Sequence, residues 1–400
     1  MSLHAESANE LANALAGELV TELATELATR EAQGLRRTRR LLTTPQRAHV
    51  SVDGREYTAF CSNDYLGLAA DPRLAAAAKT GIDRYGVGAG ASHLILGHSS
   101  AHHELEVALA TFVRLPQALL FSTGYMANMG VVSALVGRGD AVFADRLNHA
   151  SLNDAALVSR AAFKRYAHND LPALERLLQT TPARRRLVIV DAVFSMDGDI
   201  ALVPALLELC TRYDAYLLID DAHGFGVLGA QGRGALAHFG ITSERVIYMA
   251  TLGKAAGVSG AFVAGGVELI ESLVQNARTY IYTTATPPLL AQALLASLQV
   301  IEQEDWRRVR LRELIGQLQR ELAGGPWRLL PSDTPIQPLL VGGNAEALAL
   351  SARLAAQGLL VPAIRPPTVP QGTARLRISL SADHDVADVT RLTAALLQPA

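Results

Sequence analysis

The sequence predicts an α/β protein: a mostly parallel sheet with helices on both faces, followed by a smaller α+β layer. Short runs rich in Val, Ile and Leu alternate with segments of helical periodicity through the middle of the chain. These runs are almost continuously apolar, as expected for strands covered on both faces. Several of them stop abruptly on polar residues, which is typical of buried strands whose carboxyl ends open into a site.

The composition limits the class of protein. Half of the 400 residues are hydrophobic and 18% are charged, so we expect a folded globular chain with two domains. A net charge of -2 argues against a nucleic-acid partner. We find neither a secretory signal nor an apolar stretch of the roughly 20 residues that cross a membrane. Cys61 and Cys210 show no disulfide framework or metal-ligand spacing, so we expect a cytoplasmic protein without a metal.

The chain before the sheet contains recognisable local signals. Residues 1–33 carry Ala, Leu and Glu at helical spacing, which predicts an amphipathic helix. A basic cluster, L-R-R-T-R-R at residues 35–40, comes next, and a hairpin turned at Asp53-Gly54 is predicted after it. Predicted helices then follow over Pro72–Tyr85 and Ser100–Val113.

Strands and helices alternate from residue 118 onward. The predicted strands begin the segments at residues 118–128, 141–145, 186–199, 215–224 and 246–260. A long helical region then leads to a strand at Ile336–Gly342 and a final mixed segment. We therefore predict an N-terminal helix and hairpin (1–62), a large domain (63–290) and a small α+β domain (291–400).

Polar side chains collect where the predicted strands end. Ligands of parallel sheets bind outside the carboxyl ends of the strands. One polar group at a strand end is ordinary, but six at one edge predict a site. The six are His149, Ser195, Asp220, His223, Thr251 and Lys254.

Lys254 has the surroundings that a nucleophilic amine requires. It lies among small residues, and no acidic residue occurs between Val246 and Gly266. A lysine becomes a nucleophile when burial or positive charge lowers its pKa. A Schiff-base lysine whose cofactor is pyridoxal phosphate also needs an acid beside the pyridine nitrogen, and Asp220 is the candidate. The alternative from these residues alone is a solvated loop lysine and a helix-capping Asp220.

A strand-to-helix turn at residues 118–128 offers an anion site. The turn S-T-G leads into a helix near Tyr125, and the free N–H groups of a helix N-terminus favour a phosphate. The glycine-rich run at residues 86–97 superficially resembles a dinucleotide loop. Because it follows no strand and lacks the G-x-G-x-x-G spacing, it argues against a nicotinamide enzyme.

From residue 35 to the C-terminus, the chain resembles the α-oxoamine synthases, which are fold-type I pyridoxal-phosphate enzymes. The resemblance is carried by S-N-D-Y-L-G-L, S-T-G-Y-M-A-N, A-D-R-L-N-H-A-S-L, F-S-M-D-G-D, D-D-A-H-G-F-G-V-L-G and G-K-A-A-G-V-S-G. It implies a large domain built on a seven-stranded, mostly parallel sheet. Asp191 is one departure, since the family more often has glutamate there, and Leu252, Ala255 and Ala256 also differ.

The resemblance implies a role for each predicted site residue. Lys254 would bond the cofactor and act as base, Asp220 would keep the ring nitrogen protonated, His223 would bond the ring oxygen and His149 would stack on the ring. The remaining implied cofactor-binding residues are Gly124, Tyr125, Ser195 and Thr251. The implied substrate-binding residues are Asn63, His149, Arg365, Thr368 and Arg37, with Arg36 left as an alternative to Arg37.

The resemblance also implies substrates and partners. R-P-P-T-V-P-Q-G-T-A-R-L-R is similar to the marker of family members that join L-alanine to a pimeloyl thioester in biotin biosynthesis. The acyl donor would be carried by acyl carrier protein or coenzyme A, and the arginines of residues 35–40 could form part of a carrier-protein surface. The family is dimeric, and Thr283 and Thr284 would reach the partner's phosphate site.

There are two alternatives, one within the same family and one from another class of protein. A glycine-using member of the same family would carry different residues before T-V-P, and substrate specificity separates it from an alanine-using enzyme. A non-catalytic pyridoxal-phosphate regulator would need a DNA-reading domain, for which the residues before the basic cluster leave no room.

Overall fold

The computed structural model describes residues 17–398, which divide into two units. The first unit comprises the described residues up to Thr43 together with Val52–Gly54, and the second comprises Thr44–Ser51 and the chain from Arg55 onward. The helix predicted over residues 1–33 is observed as Glu18–Ala32, and its predicted first half lies outside the described residues. None of the described helices is long and apolar enough to span a bilayer.

The secondary structure follows the alternation that the sequence predicts. The strands are β1 (His49–Val52), β2 (Arg55–Ala59), β3 (Gln117–Phe121), β4 (Ala141–Asp145), β5 (Ala162–Tyr166), β6 (Arg186–Asp191), β7 (Tyr216–Asp220), β8 (Val246–Thr251), β9 (Ala261–Gly265), β10 (Arg328–Leu329), β11 (Ile336–Gly342), β12 (Leu359–Leu360), β13 (Ala363–Ile364) and β14 (Ala374–Ser379). The α-helices are α1 (Glu18–Ala32), α2 (Pro72–Tyr85), α3 (Ser100–Val113), α4 (Gly124–Leu135), α5 (Ala150–Ser159), α6 (Leu171–Thr180), α7 (Val203–Arg212), α8 (Ala235–Phe239), α9 (Val267–Asn276), α10 (Arg278–Ile281), α11 (Pro288–Gln303), α12 (Trp306–Leu322), α13 (Asn344–Ala356) and α14 (Val386–Leu397).

A seven-stranded sheet in the order β3-β9-β8-β7-β6-β4-β5 forms the centre of the second unit. The neighbours from β8 through β5 pair in parallel, and β9 runs antiparallel to both β3 and β8. The predicted mostly parallel sheet is therefore confirmed. Residues 328–379 form a separate four-stranded antiparallel sheet in the order β10-β11-β14-β13, which is the smaller α+β layer.

Alternate residues of the central strands enter two hydrophobic cores. In β6, Val188 and Val190 pack into one core, while Leu187 and Ile189 pack into the other. Side chains alternate across a strand, so a strand that is apolar at every position must be covered on both faces. Helix α4 covers one face through Ala127, Val131 and Val132. The continuous apolar runs in the sequence therefore have a direct structural cause.

Local signals place most helix boundaries. Helix α2 begins at Pro72 after the Asp71 cap, whose side chain accepts a hydrogen bond from the Arg73 N–H. It ends before Gly86, which has a φ of 75°. Strand β5 has no counterpart in the predicted strands, because this edge strand reads A-F-K-R-Y and buries fully only Tyr166.

Candidate active site

The carboxyl ends of β4, β6, β7 and β8 lie at one edge of the central sheet, because these strands are adjacent and parallel. Asp220 is the last residue of β7 and Thr251 is the last of β8. His149 caps α5 after β4, Ser195 follows β6, His223 follows β7 and Lys254 follows β8. The six residues predicted from strand ends therefore share one edge.

The Lys254 amine hydrogen-bonds the His223 imidazole, with Nζ 2.8 Å from Nε2. Burial lowers the pKa of this lysine to about 8, and the neighbouring carboxylate of Asp220 limits the fall. With that pKa, about a tenth of the amine is unprotonated at pH 7, whereas an ordinary lysine is almost wholly charged. Lys254 is therefore a usable nucleophile and base near neutral pH.

His223 connects the lysine to a buried tyrosine. Its Nδ1 lies 2.6 Å from the Tyr65 hydroxyl oxygen, and that hydroxyl donates to Asn63 Oδ1 at 3.1 Å. Burial and the Lys254 charge hold the pKa of His223 well below its ordinary value, so the ring is neutral. One set of protons satisfies all of these groups: Lys254 donates to Nε2, Nδ1–H donates to Tyr65, and Tyr65 donates to Asn63.

Arg377 of β14 completes this hydrogen-bonded chain. Its guanidinium donates to the Tyr65 hydroxyl oxygen at 3.4 Å and to Asn63 Oδ1 at 3.3 Å. It also donates to the backbone oxygen of Ser195 at 2.6 Å. The small sheet thereby contributes a cation to the group of residues at the edge of the large sheet.

Asp220 is held by donors on two elements. Its Oδ2 accepts from Asn128 Nδ2 of α4 at 2.7 Å, and its Oδ1 accepts from the backbone N–H of Ala222 at 3.0 Å. The residue is only 4% exposed, so its orientation is fixed by these bonds. Asn128 in turn donates to the Ser151 hydroxyl at 2.9 Å, which links β7 to α5.

Asp191 of β6 lies directly beside Asp220 in the register of the sheet. Burial and the neighbouring Asp220 carboxylate raise the pKa of Asp191 well above its ordinary value. Its carboxyl group accepts from the His149 backbone N–H at 2.6 Å. Two adjacent buried acids do not both ionise readily, so we assign the proton to Asp191.

His149 is fixed at the first turn of α5. Its Nδ1 accepts from the Ser151 backbone N–H at 3.2 Å and lies 2.8 Å from the Ser151 hydroxyl. Burial lowers its pKa, so the ring is a neutral imidazole. With Nδ1 engaged in the cap, Nε2 is the nitrogen left for another partner.

The turn from β3 to α4 lies next to the end of β8. A Cβ added to Gly124 would lie 3.8 Å from both Thr251 Cβ and Met249 Cε. Thr123 caps the helix by accepting from the Met126 N–H at 3.1 Å. The first N–H groups of a helix, here those of Gly124 and Tyr125, have no intrahelical acceptor and suit an anion. The predicted anion site and the lysine loop are thus neighbours.

The remaining predicted residues occupy several places. Arg365 is half-buried directly after β13, and Thr368 is exposed and donates its N–H to the Arg365 carbonyl at 3.0 Å. Arg36 and Arg37 lie in the first unit, where Arg36 pairs with Glu31 and Arg37 is exposed. The substrate contacts of these arginines stay predictions.

Sequence reasoning missed three residues that the structure brings to the site: Tyr65, Asn128 and Arg377. Tyr65 and Asn128 lie within two of the quoted motifs, and Arg377 lies in the strand R-L-R-I-S. A local signal was available only for Asn128, a polar residue in a largely apolar helix, because a buried amide needs a hydrogen-bond partner.

Comparison with known proteins identifies the family. The model of the family "Aminotransferase class I and II" matches residues 55–396. An 8-amino-7-oxononanoate synthase of Nitrosospira multiformis is 66% identical over 364 residues, covering 91% of this chain and 92% of the relative. The chain belongs to the 8-amino-7-oxononanoate synthase family.

Solved structures agree with that assignment. The crystal structure of 8-amino-7-oxononanoate synthase from Francisella tularensis has a TM-score of 0.75 and 31% identity, covering 85% of this chain and 96% of that one. A serine palmitoyltransferase variant from S. paucimobilis with bound PLP-myriocin aldimine has a TM-score of 0.88 and 28% identity, with coverage of 94% and 96%. The predicted fold type and family are confirmed, and the prediction of a pyridoxal-phosphate-dependent acyltransferase is confirmed at the level of the family.

Proposed function

We propose that this chain condenses L-alanine with a pimeloyl thioester to give 8-amino-7-oxononanoate, carbon dioxide and the free thiol carrier. The reaction belongs to biotin biosynthesis, and the cofactor is pyridoxal 5'-phosphate. The observation that carries the proposal is the Lys254 amine, whose pKa burial lowers to about 8, held 2.8 Å from His223 at the edge where Asp220 is buried.

The residues present fit this cofactor. A neutral amine is available at Lys254 to bond the aldehyde carbon, and the carboxylate of Asp220 is oriented to hold a protonated ring nitrogen. The N–H groups of Gly124 and Tyr125, close to Thr251, suit the phosphate. When bound, the cofactor supplies an electron-poor ring that accepts the electron pair left on the α-carbon of the amino acid.

The protein residues would position the substrates and move the proton. Once the alanine amino group has replaced it on the cofactor, the freed Lys254 amine would take the α-proton of alanine and later return a proton, since its pKa is about 8. Arg365 pairs with the alanine carboxylate and thereby fixes which bond at the α-carbon is broken. His223 would bond the ring oxygen, His149 would stack on the ring, and Ser195 would complete the cofactor site.

The pimeloyl donor is proposed to bind between the cofactor and the protein surface. Asn63, His149 and Thr368 of the second unit are the proposed contacts to the acyl chain, and Arg37 is proposed as a substrate-binding residue on the family resemblance alone. The arginines of the basic cluster, Arg36, Arg37, Arg39 and Arg40, would give an acidic carrier protein a positive landing surface. We favour acyl carrier protein over coenzyme A for this reason.

A homodimer is proposed because large apolar side chains are exposed close to Thr284. Residues 94–96 are Leu, Ile and Leu, of which Leu96 is 86% exposed, and Tyr282 is 71% exposed. A backbone bridge between Ser92 and Thr284 brings the two segments together. Exposed apolar surface of this kind marks an interface, and Thr283 and Thr284 would reach the partner's cofactor phosphate from it. Cys61 and Cys210 show no disulfide framework in their spacing, which fits a cytoplasmic location.

Carbon dioxide release tests the proposal directly. The protein loaded with pyridoxal phosphate should release carbon dioxide when given L-alanine and pimeloyl-carrier protein, and more slowly with pimeloyl-coenzyme A. Lys254→Ala should lose activity by about 10³-fold or more. A higher rate with glycine than with alanine, or full turnover by Lys254→Ala, would refute the assignment.

A further inference from the structure

Four histidines cluster around the start of α3, and the proposed reaction uses none of them. They are His93, His98, His102 and His103. The ring centroids of neighbouring members lie between 5.2 and 6.3 Å apart. Imidazole is the commonest metal ligand in proteins, so the question is which ring nitrogens in the cluster remain available.

His102 has both ring nitrogens engaged. Its Nδ1 accepts from the Ser99 backbone N–H at 3.1 Å, and its Nε2 lies 2.8 Å from the backbone oxygen of Thr286. It is completely buried. His102 therefore ties α3 to residue 286 and has no lone pair to offer an ion.

His98 has one nitrogen committed and one directed towards a carboxylate. Its Nδ1 lies 3.2 Å from Nδ1 of His93, a buried ring that stacks on Tyr280. This contact leaves Nε2 facing Glu106, at 3.8 Å from Oε2. Metal-binding histidines are usually oriented in this way, with the second ring nitrogen held by a neighbour.

Glu106 is a largely buried acid with one committed oxygen. Its Oε1 accepts from the Leu120 backbone N–H at 2.9 Å, and the side chain is 12% exposed. Its Oε2 faces His98. A buried carboxylate is costly unless it is paired, and 3.8 Å is longer than a hydrogen bond. A cation between the two groups would satisfy both.

His103 supplies a third ligand. It lies three residues before Glu106 on α3, which places both side chains on the same face of the helix. One ligand atom from each of His98, His103 and Glu106 lies within 4.8 Å of the other two. His103 is exposed, so its side chain can change rotamer and still leave open positions for water.

We propose that His98, His103 and Glu106 bind a divalent first-row transition-metal ion, with zinc as the preferred ion. Two imidazoles and one carboxylate are a ligand set that zinc, cobalt and nickel favour, whereas magnesium and calcium prefer oxygen alone. Ligand atoms around tetrahedral zinc are about 3.3 Å apart, given bonds of about 2.0 to 2.1 Å. Rotation of the exposed His103 side chain would bring its ring nitrogen to this distance from the other two ligand atoms. No metal was expected from the sequence. These ligands were not considered there, because they come from a loop and a helix and form no recognised metal-binding motif.

Metal titration of the untagged, pyridoxal-phosphate-loaded protein tests the site. Calorimetry with Zn²⁺ should give one equivalent per chain, Co²⁺ should produce visible d–d absorption bands, and Mg²⁺ should give no heat of binding. His103→Gln and Glu106→Gln should each weaken Zn²⁺ binding by at least about tenfold. The glutamine at position 106 keeps an acceptor for the Leu120 N–H, so the second variant is expected to fold.

His238→Gln is the matched control, since His238 is an exposed histidine outside the cluster. It should bind Zn²⁺ like the unmodified protein. The proposal is overturned if the unmodified protein takes up no stoichiometric Zn²⁺. It is also overturned if binding persists unchanged in both His103→Gln and Glu106→Gln.

Discussion

Asp220 and Asp221 are adjacent residues of the same type that belong to different regions of the molecule. Asp220 faces α4, where Asn128 donates to it at the edge that carries Lys254. Asp221 faces the opposite core, where it accepts from the Tyr248 hydroxyl and the Ala235 N–H, both at 2.7 Å. One acid lies in the candidate site and the other crosslinks β8 and α8 to the end of β7.

The difference follows from strand geometry. Successive side chains leave a strand on opposite faces, so two consecutive acids at a strand end cannot both enter the same site. Burial raises the pKa of Asp221 to about 7, and its donors only partly offset that rise. Residue type therefore does not identify the functional acid, whereas its face of the sheet and its hydrogen-bond partners do.

The largest expected effect is a loss of activity when Asp220, but not Asp221, is replaced by asparagine. Asp220→Asn removes the charge proposed to hold the ring nitrogen, so activity should fall by about 10² to 10³-fold. Asp221→Asn keeps an oxygen for the Tyr248 and Ala235 donors and should retain most of the activity. Steady-state rates of carbon dioxide release, with cofactor saturation checked by absorbance, measure both variants.

The thermal unfolding midpoints of the two variants are the control. Asp220→Asn should unfold within a few degrees of the unmodified protein, since asparagine keeps the shape and one acceptor oxygen. Equal losses of activity in the two variants would contradict the division between a site acid and a core acid.

A smaller effect on activity is expected at Tyr65, whose hydroxyl contacts His223 Nδ1, while Lys254 contacts Nε2. Tyr65→Phe removes the acceptor of His223 Nδ1–H, so the ring proton is expected to move to Nε2 and to point at Lys254. Nε2–H can donate only to a neutral amine, so the pKa of Lys254 should fall below about 8. Activity should decrease by about tenfold through the lost positioning.

The pH dependence of Lys254 acylation in cofactor-free protein measures the effect of Tyr65 on that pKa. Peptide mapping follows the modification at position 254, and its midpoint should move to lower pH in Tyr65→Phe. Tyr57→Phe is the matched control, because Tyr57 lies on β2 and contacts Arg55. A midpoint that stays the same in Tyr65→Phe would exclude this role for the tyrosine.

The sequence predicted most of the large sheet and the lysine-bearing edge because both have local signals. A buried parallel strand must be apolar at every position, and β6 to β8 are largely so. The polar residues that end these runs must share an edge once the strands are parallel. Helix α2 was predicted to the residue because Asp71, Pro72 and Gly86 mark its ends.

Other features depend on contacts between distant parts of the chain. Arg377 meets Tyr65 across 312 residues of sequence, and no local pattern specifies that pairing. Strand β5 is an exposed edge strand whose charged side chains hide its periodicity. The faces of the sheet to which Asp220 and Asp221 point could not be predicted either, because that prediction requires the exact residue at which β7 ends.

The smallest expected effect is the pH dependence of stability at Asp221. The pKa of its carboxyl group is about 7 in the folded chain, against an ordinary value of 3.8 for an unfolded one, so the folded state holds the proton more tightly. Its contribution to the free energy of unfolding therefore falls as pH rises from about 4 to about 7 and is constant above that range. Asp221→Asn cannot lose a proton, so its unfolding midpoint relative to the unmodified protein should rise across this window. Differential scanning calorimetry of both proteins at several pH values measures the difference. If the difference in unfolding midpoint between the two proteins does not change with pH, the pKa of Asp221 is not raised in the folded chain. Its two donors and Gly224 would then fully compensate for its burial.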